Sequence, residues 1–302
     1  VYKRQIQRSG CDMRSSDSYG ESTMKKGLFF SMSVVLLASI SGTVFAQDSS
    51  YHPILSDNFI FTAGAFRSDN TFKLEAEGVE VDSDEIDFGK SVGVDKTNTI
   101  ANFELRWKFG SKRKWSISGQ YFTNNAKGDA TLQEDVEWQD LVFGEGTFVD
   151  GGVKLEVIRA FLGYSFVKKE QHEFGVGAGI HNLDVSAYLG GEIIVNDETT
   201  DYQRADAGAS QILPNIGTWY AYSPASRWLI SGRVDWISAN VGDYDGTLWN
   251  VNAGVNFQAW RHVGFSLSYQ YFNLNLKVDK SDWRGGLDMT YNGPMLSVTA
   301  NW

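Results

Sequence analysis

From residue 97 to the C-terminus, apolar and polar residues alternate with a period of two, segment after segment. The clearest case is 101–109, where Ala101, Phe103, Leu105, Trp107 and Phe109 share one parity and Asn102, Glu104, Arg106 and Lys108 the other. A period of two sends successive side chains to opposite faces of a β-strand. WSISGQYF, EFGVGAGI, WLISGRVDW and VGFSLSYQY repeat the design. A soluble sandwich also alternates, but it rarely does so in nearly every strand with charges on the face that should be its core. The sense of the alternation therefore matters more than its presence: apolar residues face lipid and polar residues face an enclosed lumen, as in a transmembrane barrel.

Four short basic or polar knots punctuate the chain: GSKRK (110–114), VKKEQ (167–171), SPAS (223–226, then Arg227) and AWRH (259–262). Between them lie longer, acidic, glycine-rich connections. These include Glu80, Asp82, Asp84 and Glu85 in the first, Glu134 and Glu137 in the second, Asp197 and Asp201 in the third, and GDYDG (242–246) in the fourth. Short turns alternating with long loops predict periplasmic and extracellular ends. Four turns, with both termini on the periplasmic side, predict an all-β, antiparallel up-and-down barrel of about ten strands. Eight or twelve strands are the alternatives, because the first loop is long enough to hold a hairpin. The expected spans are 58–76, 97–109, 115–132, 148–166, 172–189, 207–222, 227–240, 246–258, 263–278 and 284–302. Several exceed the ~9–11 residues that cross a bilayer, so hairpins should project above it. The outward parity also switches at Tyr121/Phe122, Val157/Ile158, Trp236/Ile237 and Tyr271/Phe272, which predicts either a one-residue bulge or the point where each strand leaves the membrane.

Residues 1–23 lack periodicity, and VYKRQ (1–5) is what a transposase mosaic-end adapter would encode, so this part reads as a non-native leader. From Met24, the pair Lys25 and Lys26, an apolar run over 28–40 and small residues up to Ala46 form a secretory signal peptide. The barrel then occupies 47–302. The single cysteine, Cys11, precedes this region, so the barrel has neither a disulfide nor a thiolate metal site. Leaving out the six Lys and Arg and three Asp and Glu of 1–46 leaves 21 basic and 34 acidic residues, a net charge of −13. That balance argues against a nucleic-acid partner.

The last segment, YNGPMLSVTANW (291–302), alternates Leu296, Val298, Ala300 and Trp302 with Ser297, Thr299 and Asn301. It resembles the C-terminal insertion signal of bacterial outer-membrane barrels. Together with the signal peptide, WRHVGFSLSYQYF (260–272) and DWRGGLDMTYNGPMLSVTANW (282–302), the chain resembles the small OmpA-like and opacity-protein barrels of Gram-negative bacteria. The resemblance spans the whole of 47–302 and is architectural. It implies an integral outer-membrane protein, surrounded by outer-membrane lipid and lipopolysaccharide and folded by the barrel assembly machinery, with Trp302 as the recognition residue. Members of this group are adhesins, anchors, narrow pores or of unassigned role, so fold does not decide function.

Inward parity nominates a mixed-sign lumen set: Glu104, Arg106, Lys108, Lys154, Glu156, Arg159, Arg233 and Asp235. In a barrel this narrow such groups are expected to pair and block free passage, although ionisable groups inside a membrane protein are also the first functional suspects. Hydrolytic chemistry needs a histidine beside a nucleophile. The candidates are His52, His172, His181 and His262, of which only His181, with Asp184 three residues on, lies within a predicted strand. No His cluster points to a metal, no cofactor is implied, and the run Glu80 to Glu85 lacks the spacing of a calcium loop. The expectation is a non-enzymatic, surface-exposed structural or interaction protein, with a narrow solute or ion pore, or a membrane-embedded lipid A or peptide hydrolase, as alternatives.

Overall fold

The computed structural model describes residues 51–77, 86–94, 96–138, 141–195, 198–241, 244–279 and 284–302. The leader, the predicted signal peptide and the acidic run Glu80 to Glu85 lie outside the described residues. Ten long strands form one antiparallel sheet: β1 (Phe59–Glu77), β2 (Thr97–Phe109), β3 (Trp115–Thr131), β4 (Phe148–Lys168), β5 (His172–Val195), β6 (Glu198–Ala225), β7 (Trp228–Val241), β8 (Tyr244–Trp260), β9 (Val263–Asp279) and β10 (Arg284–Asn301). Each pairs with its sequence neighbours. β10 also pairs with β1, from Ile60↔Asn301 to Glu77↔Arg284, which closes the sheet. Closure leaves no unpaired edge, the condition for a sheet to stand in lipid.

The four predicted knots are the short turns of one end, and the strands they join match the expected spans within three residues at the turn ends, while β5 runs on to Val195 and β6 begins at Glu198, beyond the expected 189 and 207. On the outer face of the half nearest those turns, the apolar parity is exposed: Leu105, Ile117, Leu162, Ile216, Leu267 and Leu296 are among its largest members. In β4 and β9 this belt covers 158–166 and 263–271, nine residues each, within the ~9–11 that cross a bilayer. Aromatic rings border it. Phe59 stacks on Trp107 at 6.0 Å, Trp115 meets Tyr164 at 4.9 Å and Trp228 meets Phe257 at 5.0 Å beside the turns, while Trp236 and Trp249, 6.1 Å apart, mark the far edge. Amphipathic rings at both rims are the girdles of an outer-membrane barrel.

Beyond the far girdle the strands continue with the polarity reversed. Pairing runs straight through Tyr121/Phe122, Val157/Ile158, Trp236/Ile237 and Tyr271/Phe272. No bulge intervenes, so the strands leave the membrane at these points. The register shifts that do occur lie elsewhere, at Ser165/Val167, Glu192/Ile194, Trp228/Ile230 and Gln258/Trp260. Above the switch, the outward residues are mostly polar, with Phe148 an exposed exception, and the inward ones, such as Phe122, Leu155, Val157, Ile237, Phe272 and Met289, form one buried apolar cluster. Two connections fold into this upper interior. Residues 86–94 carry a one-turn helix, Phe88–Ser91, capped by Asp87 Oδ1, which accepts from Gly89 and Lys90 N at 3.1 Å. Gly93, at φ +68°, lies so close to Gly128 of β3 that a Cβ on Gly128 would strike the Gly93 carbonyl. A small hairpin, Val136–Trp138 paired with Leu141–Phe143, supplies the rest. Phe88 and Trp138, fully buried, meet edge to face at 5.3 Å.

At the other end the turn Pro53–Leu55 lies across the barrel mouth. His52 N donates to Ser223 Oγ at 2.9 Å, and Leu55 packs on Ala221 and Leu229. Leu296, Val298 and Trp302 point outward from β10, and the Trp302 backbone exchanges hydrogen bonds with Asn58 and Phe59. Trp302→Ala is expected to lower the yield of folded barrel by disturbing assembly. Heat-modifiable electrophoretic mobility and surface protease resistance check this, and an unchanged folded fraction would refute it.

Candidate functional site: the charged lumen

The inner face of the membrane half is polar because the outer face must be apolar, and its charges are brought into contact. β2 and β7 stand five places apart in either direction round the ten-strand ring, which puts them on opposite walls. Between them Arg233 reaches Glu104 at 3.7 Å. Glu104 also holds Arg106 at 2.7 Å, and Arg233 holds Asp235 at 3.0 Å. Asp235 in turn receives Arg159 of β4 at 3.1 Å, both side chains almost wholly buried. A bar of alternating charge thus crosses the lumen. Gly217 on β6 leaves room for it, since a Cβ there would overlap Asp235 Oδ1. Phe161 lies between two guanidiniums, 4.2 Å from Arg159 and 4.7 Å from Arg233. Such placement over a ring face adds cation–π attraction to the ion pairs.

A second knot lies nearer the turns. Lys108 pairs with Glu173 at 2.7 Å and Glu173 with Lys168 at 2.6 Å, while Ser165 Oγ and Trp219 Nε1 also donate to Glu173. Lys108 Nζ donates as well to the Ile54 carbonyl at 2.9 Å. The knot therefore ties the end-closing turn to the barrel wall.

The bar divides the lumen into unlike halves. On the side of β3 to β6, Phe161 and Arg159 fill the space, and Trp219 faces the cavity. A cavity of about 160 Å³ runs from the charges of both knots, Glu104, Arg233, Asp235 and Glu173 among them, towards β8, β9, β10 and β1, where uncharged polar groups such as Asn252 and Gln270 join apolar ones in its lining. Ile54 and Leu55 form its floor, and the apolar cluster of the upper half lies above the switch level.

Six of the eight predicted lumen residues, Glu104, Arg106, Lys108, Arg159, Arg233 and Asp235, meet in these two knots. Lys154 and Glu156 do not. They lie on the outward parity of β4 above the belt, paired with each other at 3.3 Å, Lys154 exposed and Glu156 half-exposed, while Val153, Leu155 and Val157 point inward. Their assignment to the lumen assumed a change of parity at 157/158, and the uninterrupted register rules that out. Sequence reasoning missed Glu173, although the inward parity of EFGVGAGI contained the signal. It also missed His181 as a lumen group. His181 is fully buried, opposite Arg159 and beside Asn215, whereas Asp184 points outward. The two residues of the supposed dyad thus occupy opposite faces of β5. His172 stacks on Tyr222 at 4.8 Å, and His262 hydrogen-bonds the Asn301 carbonyl at 2.7 Å. Both belong to the rim.

No family model matches the sequence, and no curated protein does. Solved structures do. The outer membrane protease OmpT from Escherichia coli is 12% identical, the match covering 85% of this chain and 99% of that one, with a TM-score of 0.53. The translocator domain of the autotransporter NalP from Neisseria meningitidis (9% identical, 81% and 89% covered, TM-score 0.41) and Ail, the attachment invasion locus protein of Yersinia pestis (10%, 79% and 99%, 0.28), are further matches. At these identities the likeness is one of fold. Closed ten-strand topology, lipid-facing belt and paired girdles make the chain a small integral β-barrel of the bacterial outer membrane.

Two outcomes are expected from this geometry. Arg159→Ala leaves the buried Asp235 carboxylate with Arg233 as its one remaining cation and should destabilise the barrel by about 1.5–3 kcal/mol, the scale of a lost hydrogen bond to a charged group, read by denaturant unfolding in lipid vesicles. His52 lies outside the spanning segments, and burial lowers its pKa from 6.5 to about 4. Its docked form stays neutral while the released form takes a proton below about pH 6.5. Docking of the 52–55 turn should therefore weaken as pH falls from about 6.5 towards 4 and stay constant above that range. Hydrogen exchange of amides 54–57, corrected for intrinsic rate, should show this in the wild type and lose it in His52→Phe.

Proposed function

We propose that this protein is a non-enzymatic structural or interaction protein of the cell surface, carried on a barrel that does not conduct. The observation that carries the reading is the double obstruction of the lumen: the ion-pair bar from Glu104 to Arg159 and, above it, the apolar cluster completed by Phe88, Trp138 and Phe143. Ions crossing the upper half would have to open a packed hydrophobic interior, a high barrier in both desolvation and packing. The strands that stand above the membrane present a polar outer wall, including Lys154 and Glu156, suited to contact with lipopolysaccharide or an external partner. The C-terminal residues Leu296, Val298, Ala300 and Trp302 are proposed as the signal read by the assembly machinery.

The runner-up is a narrow pore, favoured by the cavity beneath the apolar cluster, whose lining includes Glu104, Arg233 and Asp235. Planar-bilayer recording separates the two. The refolded protein is expected to show no steady single-channel conductance at moderate voltage. Stable steps altered by Arg159 or Arg233 substitution would replace the first reading with the second. The hydrolase alternative is disfavoured by the opposed directions of His181 and Asp184.

A further inference from the structure

Positive charge is concentrated at the periplasmic end of an otherwise acidic chain. Segments 110–114, 168–171, 226–227 and 261–262 hold seven Lys and Arg residues against one acid, Glu170. Lys168 is engaged internally with Glu173. Lys112, Arg113, Lys169, Arg227 and Arg261 are exposed. The four turns follow β2, β4, β6 and β8, so cations recur at every second gap between strands, and only the gap between β10 and β1, where the termini lie, has no such turn. Lys112 and Arg113 sit at φ 56° and 52°, a left-handed conformation that glycine or asparagine adopts more easily. Two long basic side chains occupy it instead, so turn geometry alone does not explain their presence.

The level of these cations is fixed by their neighbours. Trp115 and Tyr164, Trp228 and Phe257, and Trp260 and Phe265 pair immediately beside the turns. Lys114 Nζ lies 5.7 Å from the Tyr164 ring centroid. Interfacial aromatics mark the depth of the lipid headgroups, so the exposed cations stand in the headgroup layer of the periplasmic leaflet.

We propose that this basic collar binds anionic phospholipid headgroups of the periplasmic leaflet. The guanidinium forks of Arg227 and Arg261 suit phosphate oxygens, and Arg113, whose Nη1 donates to the Ser56 carbonyl, keeps further N–H groups for the same purpose. Lys112 and Lys169 extend their ammonium groups into the same layer along their methylene stems. The acyl chains beneath such headgroups lie against the exposed apolar belt, so one lipid engages both surfaces.

The test uses the refolded full barrel in phosphatidylcholine vesicles containing brominated phosphatidylglycerol or brominated phosphatidylcholine at equal mole fraction. Trp107, Trp115, Trp228, Trp260 and Trp302 lie near the collar and report on adjoining lipid. The anionic lipid is expected to occupy these positions with a preference of about fivefold, on the scale of one membrane-proximal cation. Molar salt should reduce the preference towards one. Lys112→Gln combined with Arg113→Gln, Arg227→Gln and Arg261→Gln should abolish it while heat-modifiable mobility is retained. Equal quenching by both lipids in the wild type, or a preference that survives salt or the fourfold variant, overturns the proposal. Unchanged lipid quenching in the variant with loss of sedimentation on peptidoglycan also overturns it and assigns the collar to the cell wall.

Discussion

Hydrogen-bond closure of the backbone is the constraint on which the molecule rests. In hydrocarbon an unpaired strand edge leaves a row of amide and carbonyl groups with no solvent to satisfy them. The pairing of β1 with β10, sixteen residue pairs including Ile60↔Asn301, removes that edge. The C-terminal strand is therefore a wall of the structure, and its last residue is hydrogen-bonded to the start of β1. Once the sheet is closed, the pleat distributes the side chains. Whatever parity faces lipid must be apolar, and the remaining parity meets at the axis of a tube too narrow to hold much water.

That tube is filled in two different ways along one continuous set of strands. In the membrane half the outer solvent is hydrocarbon, so apolar residues gain nothing by hiding and the interior is left to polar groups. Above the far girdle the outer solvent is water. Burial of Phe122, Leu155, Ile237 and Met289 is then favoured by the ordinary hydrophobic effect, and the upper half has the apolar interior and polar exterior of a soluble barrel. Because the register does not slip, the inversion lies wholly in residue type and not in backbone geometry.

Polar filling of the lower half brings its own requirement. A lone charge in this space would be strongly penalised, and a paired one is tolerated when its remaining hydrogen-bonding capacity is also met. Glu173 illustrates this with Lys108, Lys168, Ser165 and Trp219 arranged about one carboxylate. Asp235 is paired with two arginines, and a glycine opposite leaves the carboxylate its place, although its Oδ2 has Arg233 as an ion-pair partner and, among the described residues, no hydrogen bond. The same pairs bind strands from opposite walls, so the groups that fill the lumen also brace it. The knot at Lys108 extends the bracing to the turn across the periplasmic mouth.

The period-two alternation, the four short knots and the lengths between them determined the barrel, its ten strands and the direction of most side chains, because these depend only on local sequence and the pleat. They also determined that Glu104, Arg106, Arg159, Arg233 and Asp235 face inward. Tertiary structure alone decided which charges meet, since partners such as Arg159 and Asp235 lie three strands apart and the sequence carries no record of distance across a lumen. It decided too that Lys154 and Glu156 face outward: at 157/158 the solvent changes while the parity does not, and the sequence pattern is the same for a bulge as for an exit from the membrane. The filling of the upper interior by 86–94, 136–138 and 141–143 was likewise invisible to periodicity, because a segment that folds inward obeys no repeat and is placed only by the walls it packs against.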